Sequence, residues 1–164
     1  MLRTLALSTA IIISSLALPS NAAELFKGKV VKITDGDTLN AQVGNSTIRV
    51  RLACIDTPES NQSFGSLATQ RLNQLVPVGS TVDIYKVDTD RYGRTIGVIV
   101  GSSGNVNLQM VREGYAVVYD KYLYNCPNSR NDLLNAENQA KANGRVFWSQ
   151  SNPCMPWDFR GDRC

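Results

Sequence analysis

Histidine is absent from all 164 residues, and that gap removes several mechanisms at once. No Ser-His-Asp triad, Cys-His pair or histidine general base can be assembled. None of the four cysteines (Cys54, Cys126, Cys154, Cys164) falls in a CxxC pair, which with no histidine argues against zinc. Charge of either sign is in short excess, 17 Lys and Arg against 14 Asp and Glu. Such a balance does not support nucleic-acid binding through the whole surface, so a site for a polyanion must be local. Internal repeats and linkers are missing too. Any catalysis is left to carboxylates, basic groups, hydroxyls or a metal with oxygen ligands.

Long apolar runs are confined to the start. Arg3 is followed by a mostly apolar stretch from Leu5 to Leu18, which ends in Pro19-Ser20-Asn21-Ala22-Ala23. A charged n-region, an apolar h-region and small residues at a cleavage point read as a secretory signal over residues 1–23, cut after Ala22 or Ala23. The run is shorter than the about 20 residues a spanning helix needs, which disfavours an anchor. Loss of Arg3 leaves a net charge of +2. The remaining about 140 residues suit one domain with one core. That domain spans residues 24–164, with 149–164 a cysteine-containing tail. The expected location is exported, either secreted or periplasmic, with no membrane anchor after cleavage. Nothing marks an oligomer interface, so a monomer is expected. An even cysteine count in an exported chain favours disulfides. Four cysteines allow three pairings, and sequence does not choose. Cys154–Cys164 is favoured because the two close a short tail loop, whereas Cys54, continuing an apolar strand face, could instead be free and buried.

Periodicity supplies the elements. Strands are expected over Phe26–Ile33, Thr38–Val43, Thr47–Cys54, Thr81–Val87 and Thr95–Val100. In the third, Ile48, Val50, Leu52 and Cys54 alternate with Arg49, Arg51 and Ala53. Phe64, Leu67, Ala68, Leu72, Leu75 and Val76 have helical spacing. Asn107 reads as the cap of a short helix over Leu108–Glu113, stopped by Gly114. A third helix runs from Ser129 or Asn131 to Ala142. Five short strands with a helix between the third and fourth suit an α+β fold: a Greek-key barrel of the OB type with three helices.

Four patches carry possible chemistry: Asp35-Gly36-Asp37-Thr38, the run from Arg51 to Glu59, Asp90-Arg91-Tyr92-Gly93-Arg94, and Tyr115, Tyr119, Tyr122 and Tyr124. Each alone reads as an ordinary turn, a solvated strand residue or packing. Together they offer oxygen ligands and arginines with no nitrogen or sulfur ligand set. Asp37, Asp56 and the Thr57 carbonyl, completed by water, would suit Ca2+, which tolerates irregular oxygen ligation better than magnesium. Arginine forks such as those of Arg51 and Arg94 grip phosphate oxygens in pairs. Glu59 could orient or deprotonate water.

These residues resemble the staphylococcal (micrococcal-type) nuclease family. KITDGDT, RLACIDTPES and DRYGR occur in that order, followed by VREGYA, ENQAK and FWS. The resemblance covers roughly Val30 to Ser149. It implies Ca2+ ligands at Asp37, Asp56 and Thr57, with Asp35 a carboxylate near the ion. Arg51 and Arg94 would grip phosphate, and Glu59 would be the catalytic glutamate. It further implies in-line attack by water, release of the 5′-oxygen to leave 3′-phosphate ends, and activity on both DNA and RNA. Tyr92 matches a residue near the terminal phosphate of a bound nucleotide, and Arg91 stands where the archetype has lysine. A second phosphate-contacting tyrosine should lie among Tyr119, Tyr122 and Tyr124, with Tyr122 or Tyr124 favoured.

The chain departs from the archetype in two places. Its loop from Ser60 to Ser66 is shorter and lacks lysines, and the cysteines and the tail WDFRGDRC are extra. Two other readings compete. One is a catalytically inactive OB-type nucleic-acid-binding module, in which tyrosines stack bases. The other is a calcium-stabilised structural domain, which would need Asp37 and Asp56 but neither arginine.

Overall fold

The computed structural model describes residues 24–164; the expected export signal, residues 1–23, lies outside them. Five of the six strands of the main sheet form the barrel: β1 (Glu24–Ile33), β2 (Thr38–Val43), β3 (Ser46–Leu52), β5 (Thr81–Thr89) and β6 (Thr95–Gly101). Their order is β3-β2-β1-β5-β6, and a parallel pairing of β3 with β6 through Val50–Leu52 closes the sheet into a barrel. Closure requires strong coiling. The register slips between Val30 and Lys32 in β1 and between Lys86 and Asp88 in β5, bulges that bend their strands. Inside, Val30, Leu39, Ala41, Val50, Leu52, Ile84 and Ile99 are fully buried, the inward half of each alternating strand.

The third strand is shorter than its pattern implies. Cys54 has φ 65°, in the left-handed region, which ends β3 at Leu52. The chain then resumes as a two-residue strand, β4 (Ile55–Asp56), paired antiparallel with β8 (Val117–Val118). A left-handed backbone position is invisible to period-two alternation, which reads only side-chain faces.

Helix α1 (Gly65–Leu75) buries Gly65, Ala68, Leu72 and Leu75, one stripe at helical spacing. A two-residue strand, β7 (Gly104–Asn105), returns from β6. The next helix, α2, is Val106–Arg112, and its cap is Asn105, whose side chain accepts from the Leu108 N–H at 3.0 Å. The expected cap, Asn107, is instead buried: its Oδ1 accepts from Ile99 N at 3.0 Å, and its Nδ2 donates to Ala53 O at 2.9 Å and Gly97 O at 3.2 Å. Both residues are good caps, and only the path of the chain out of β7 decides between them. Helix α3 (Arg130–Ala142) falls where expected. Beyond the three expected helices come 3-10 turns at Asp120–Asn125 and Val146–Ser149 and a one-turn α4 (Pro156–Phe159), opened by proline at its first position.

Both disulfides form within the chain. Cys154–Cys164 closes the tail, as favoured, and Cys54 is not free but bonded to Cys126. No helix among the described residues is long and apolar enough to cross a membrane.

Candidate active site

One cleft of about 770 Å³ opens at the end of the barrel where β2, β3 and β4 meet the β5–β6 turn and the segment after β8. Its walls include Asp35, Asp37, Arg51, Asp56, Thr57, Glu59, Arg91, Tyr92, Arg94 and Tyr122. Tyr124, exposed at 67%, does not line it. Of the two tyrosines favoured from sequence, the fold therefore brings only Tyr122 to the cleft.

Asp37 and Asp56 are held by backbone that the barrel fixes. Asp37 begins the turn into β2, and its carbonyl accepts from Leu52 N at 2.8 Å, which ties that turn to the end of β3. Its Oδ2 accepts from the Thr57 N–H at 3.0 Å and the Thr57 hydroxyl at 2.9 Å. Gly36 is required here, because a Cβ would lie 2.7 Å from both Thr57 Oγ1 and Ala68 Cβ. Asp56 sits in β4, opposite Val117 of β8. That strand is anchored from behind by buried Glu137 of α3, which accepts from Val118 N at 2.8 Å and pairs with Lys141 at 2.7 Å. The disulfide Cys54–Cys126 and the hydrogen bond from Tyr119 N to Cys54 O at 2.9 Å fasten the same corner.

Arg51, whose sequence pattern is compatible with a solvated strand residue, is instead nearly buried between the two aspartates. Its Nη2 donates to Asp56 Oδ1 at 2.6 Å, and its Nη1 forms an ion pair with Asp37 Oδ2. That ion pair lacks hydrogen-bond alignment, and Nη1 is a buried donor with no other partner among the described residues. Arg94 is set by its own turn: Asp90 accepts from the Arg94 backbone N–H at 2.9 Å and from Nε at 2.7 Å. These bonds outweigh burial and hold the Asp90 carboxyl below the usual carboxylate range. Arg91 and Arg94 lie over the Tyr92 ring at 4.8 and 5.7 Å, and Arg91 also donates to the Tyr92 hydroxyl at 2.6 Å. Tyr92 itself remains 68% exposed.

The carboxylates crowd one another. Burial, and then the neighbouring Asp37 charge, push Asp35 up to about 6. Burial also raises Asp56, against the opposing pull of Arg160 and Arg51. Four carboxylates (Asp35, Asp37, Asp56, Glu59) face two guanidiniums (Arg51, Arg160), while Arg94 is matched by Asp90. Asp88, Arg91 and Lys121 also line the cleft, so with every group ionised six carboxylates face five cations and one negative charge is left over. No group of three or more His, Cys, Asp or Glu side chains is placed to hold a metal among the described residues. A cation here would therefore rest on Asp37 and Asp56, the Thr57 carbonyl and water. That all-oxygen, doubly negative set fits one divalent hard ion.

Arg160 was not legible beforehand. It lies in the tail, yet its Nη1 donates to Glu59 Oε1 at 2.6 Å across a sequence separation of 101. The only signal of a shared site is its position inside the loop that Cys154 and Cys164 close. Lys121 and Asn125, also in the cleft wall, carried no signal at all. Gly65, within the expected loop from Ser60 to Ser66, instead opens α1. A Cβ there would collide with the Glu59 carbonyl, so this glycine lets α1 start directly beneath the Glu59 loop.

Comparison with known proteins gives a consistent picture. Residues 49–150 match the family model described as staphylococcal nuclease homologue. A micrococcal nuclease of Shigella flexneri is 41% identical over 144 residues, covering 82% of this chain and 80% of the relative. A protein of Escherichia coli O157:H7 described as an uncharacterized endonuclease is 38% identical over 134 residues, covering 81% and 84%. Protein ParB of Escherichia coli is 35% identical over 163 residues, covering 94% and 90%.

Proposed function

From the premise that the chain belongs to the staphylococcal nuclease family, we propose that it is an exported, calcium-dependent nuclease that hydrolyses phosphodiester bonds of DNA and RNA and leaves 3′-phosphate ends. The observation that carries this reading is convergence. Arg51, Glu59 and Arg94 come from β3, the following loop and the β5–β6 turn, and all face one cleft with Asp37, Asp56 and Thr57.

In this reading Asp37, Asp56 and the Thr57 carbonyl would hold Ca2+, with Asp35 supporting Asp37 from the side. When bound, the ion supplies Lewis-acid stabilisation of charge on the phosphate. Arg51 and Arg94 grip two phosphoryl oxygens and oppose the charge that builds up during attack. Glu59 accepts a proton from water as the water oxygen bonds to phosphorus opposite the 5′-oxygen. The P–O5′ bond breaks, the 5′-oxygen leaves as a hydroxyl by taking a proton from solvent water, and the 3′-side keeps the phosphate. Tyr92, with Arg91 beside it, and Tyr122 line the path of the neighbouring nucleotides. Recognition through phosphate and stacking, with no base-edge donors called for, suits low sequence preference and acceptance of both sugars. Export agrees with two disulfides, which persist in oxidising compartments.

The test is incubation of the mature protein with single-stranded DNA or RNA, with calcium or with chelator, followed by analysis of product ends. The expected outcome is calcium-dependent cleavage with 3′-phosphates on both substrates. A folded protein that binds DNA in saturating calcium without cutting it would replace this reading with a binding barrel.

A further inference from the structure

Glu59 is half-buried on a short loop, and a residue that must place a proton acceptor accurately cannot swing freely. Its carboxylate has one hydrogen-bond partner among the described residues, Arg160, at 2.6 Å on Oε1. Oε2 has none. The same guanidinium forks onto Asp56, with Nη2 to Oδ2 at 2.7 Å and Nη1 to Oδ1 at 3.1 Å.

The tail that delivers Arg160 is fastened at several points. The Cys154–Cys164 bond closes it. Gln62 donates from Nε2 to Cys154 O at 2.6 Å, while its Oε1 accepts from Glu59 N at 3.1 Å, so one side chain joins the tail to the Glu59 loop. Trp157 stacks on Tyr119 with ring centroids 5.2 Å apart and planes within 10°. Arg163 braces the turn from inside, donating to Asp158 Oδ1 and Trp157 O, each at 2.9 Å.

We propose that Arg160 is a positioning residue for Glu59, and that the disulfide-closed tail exists to install it. Arg160 occupies Oε1 and leaves Oε2 without a hydrogen-bond partner, and its fork on buried Asp56 ties the two carboxylates to one guanidinium. The short loop after Glu59 holds its backbone, through Gln62, but among the described residues only the tail contacts its carboxylate. This inference rests on the reading of Glu59 as the proton acceptor.

The experiment uses the full mature chain and compares the parent with Arg160→Ala, Arg160→Lys and the pair Cys154→Ser/Cys164→Ser. It measures kcat and KM on single-stranded DNA, calcium affinity by calorimetry, and thermal melting. In Arg160→Ala, kcat at saturating calcium should fall about 10- to 100-fold with KM within about threefold. Calcium should bind that variant at least as tightly as the parent, since a cation facing Asp56 has been removed. Arg160→Lys, which keeps the charge but not the fork, should recover part of kcat. The cysteine pair should lose several-fold in kcat while remaining folded. An unchanged kcat in Arg160→Ala would overturn the proposal, and so would a raised one, which would make the tail a block on the site. A fall in calcium affinity matching the fall in kcat would also overturn it, because Arg160 would then act through the metal site and not through Glu59. A parent that fails to cleave under every condition refutes the nuclease reading itself, a result distinct from all of these.

Discussion

Two arginines in this molecule make the same two-pronged contact with a carboxylate, and they serve different ends. Arg71 of α1 grips Glu113, just past α2, with Nε to Oε2 at 2.5 Å and Nη2 to Oε1 at 2.8 Å. Arg160 grips Asp56 with similar geometry. The Glu113 side chain keeps 26% of its surface in water, whereas Asp56 keeps none. Around Arg71 the remaining partners are the neutral amides of Gln74 and Gln109, and the charges match one for one. Around Arg160 a second carboxylate shares the same guanidinium, and the surrounding cluster remains negative. A balanced, half-wet pair can only tie two helices together. A shared guanidinium in a cluster of excess charge remains electrostatically unsatisfied, which is a useful state where a phosphate or a cation has to be received.

The largest effects should come from the unbalanced side. Replacing Glu59 with Gln or Arg94 with Ala is expected to lower cleavage by about 10²–10³-fold with little change in melting, as for loss of a general base or a charge-stabilising donor. A quantitative cleavage assay beside a thermal melt checks this, and unchanged cleavage in both variants would sink the assignment. Next comes Cys54→Ser/Cys126→Ser, which unfastens the corner carrying Asp56 and should destabilise the fold by about 2–4 kcal/mol, read from denaturant midpoints. Gly65→Ala pushes a methyl group into the Glu59 backbone, so it should cost about 1–3 kcal/mol and reduce cleavage as well, separating it from a purely structural lesion. The smallest effect belongs to the balanced pair. Arg71→Ala should lose about 1 kcal/mol or less in stability and leave kcat and KM at parental values. A large loss of turnover in Arg71→Ala would erase the distinction between the two pairs.

Much of the barrel could be read from the chain, because alternation along a strand and the stripe along a helix are local properties that burial imposes on nearby residues. The strands over β1, β2, β5 and β6 and the helix α3 are of this kind. The errors fall where two residues of equal local merit compete. Asn105 and Asn107 are both suitable caps, and the buried carbonyls of Ala53 and Gly97 claimed the second. Cys54 continues an apolar face by pattern, but its positive φ turns the strand toward Cys126.

The chemical palette was already set by the chain: with no histidine, chemistry in the cleft is left to carboxylates, cationic groups and hydroxyls, and the ordered short motifs carry most of them. Only the tertiary structure decided which cysteines meet, that Arg51 is buried between two aspartates, that Tyr122 and not Tyr124 lines the cleft, and that a tail arginine reaches Glu59. Each of these is a contact between segments far apart along the chain. Such contacts are chosen by how the closed barrel and its disulfides bring their ends together, and spacing between neighbours holds no record of that choice.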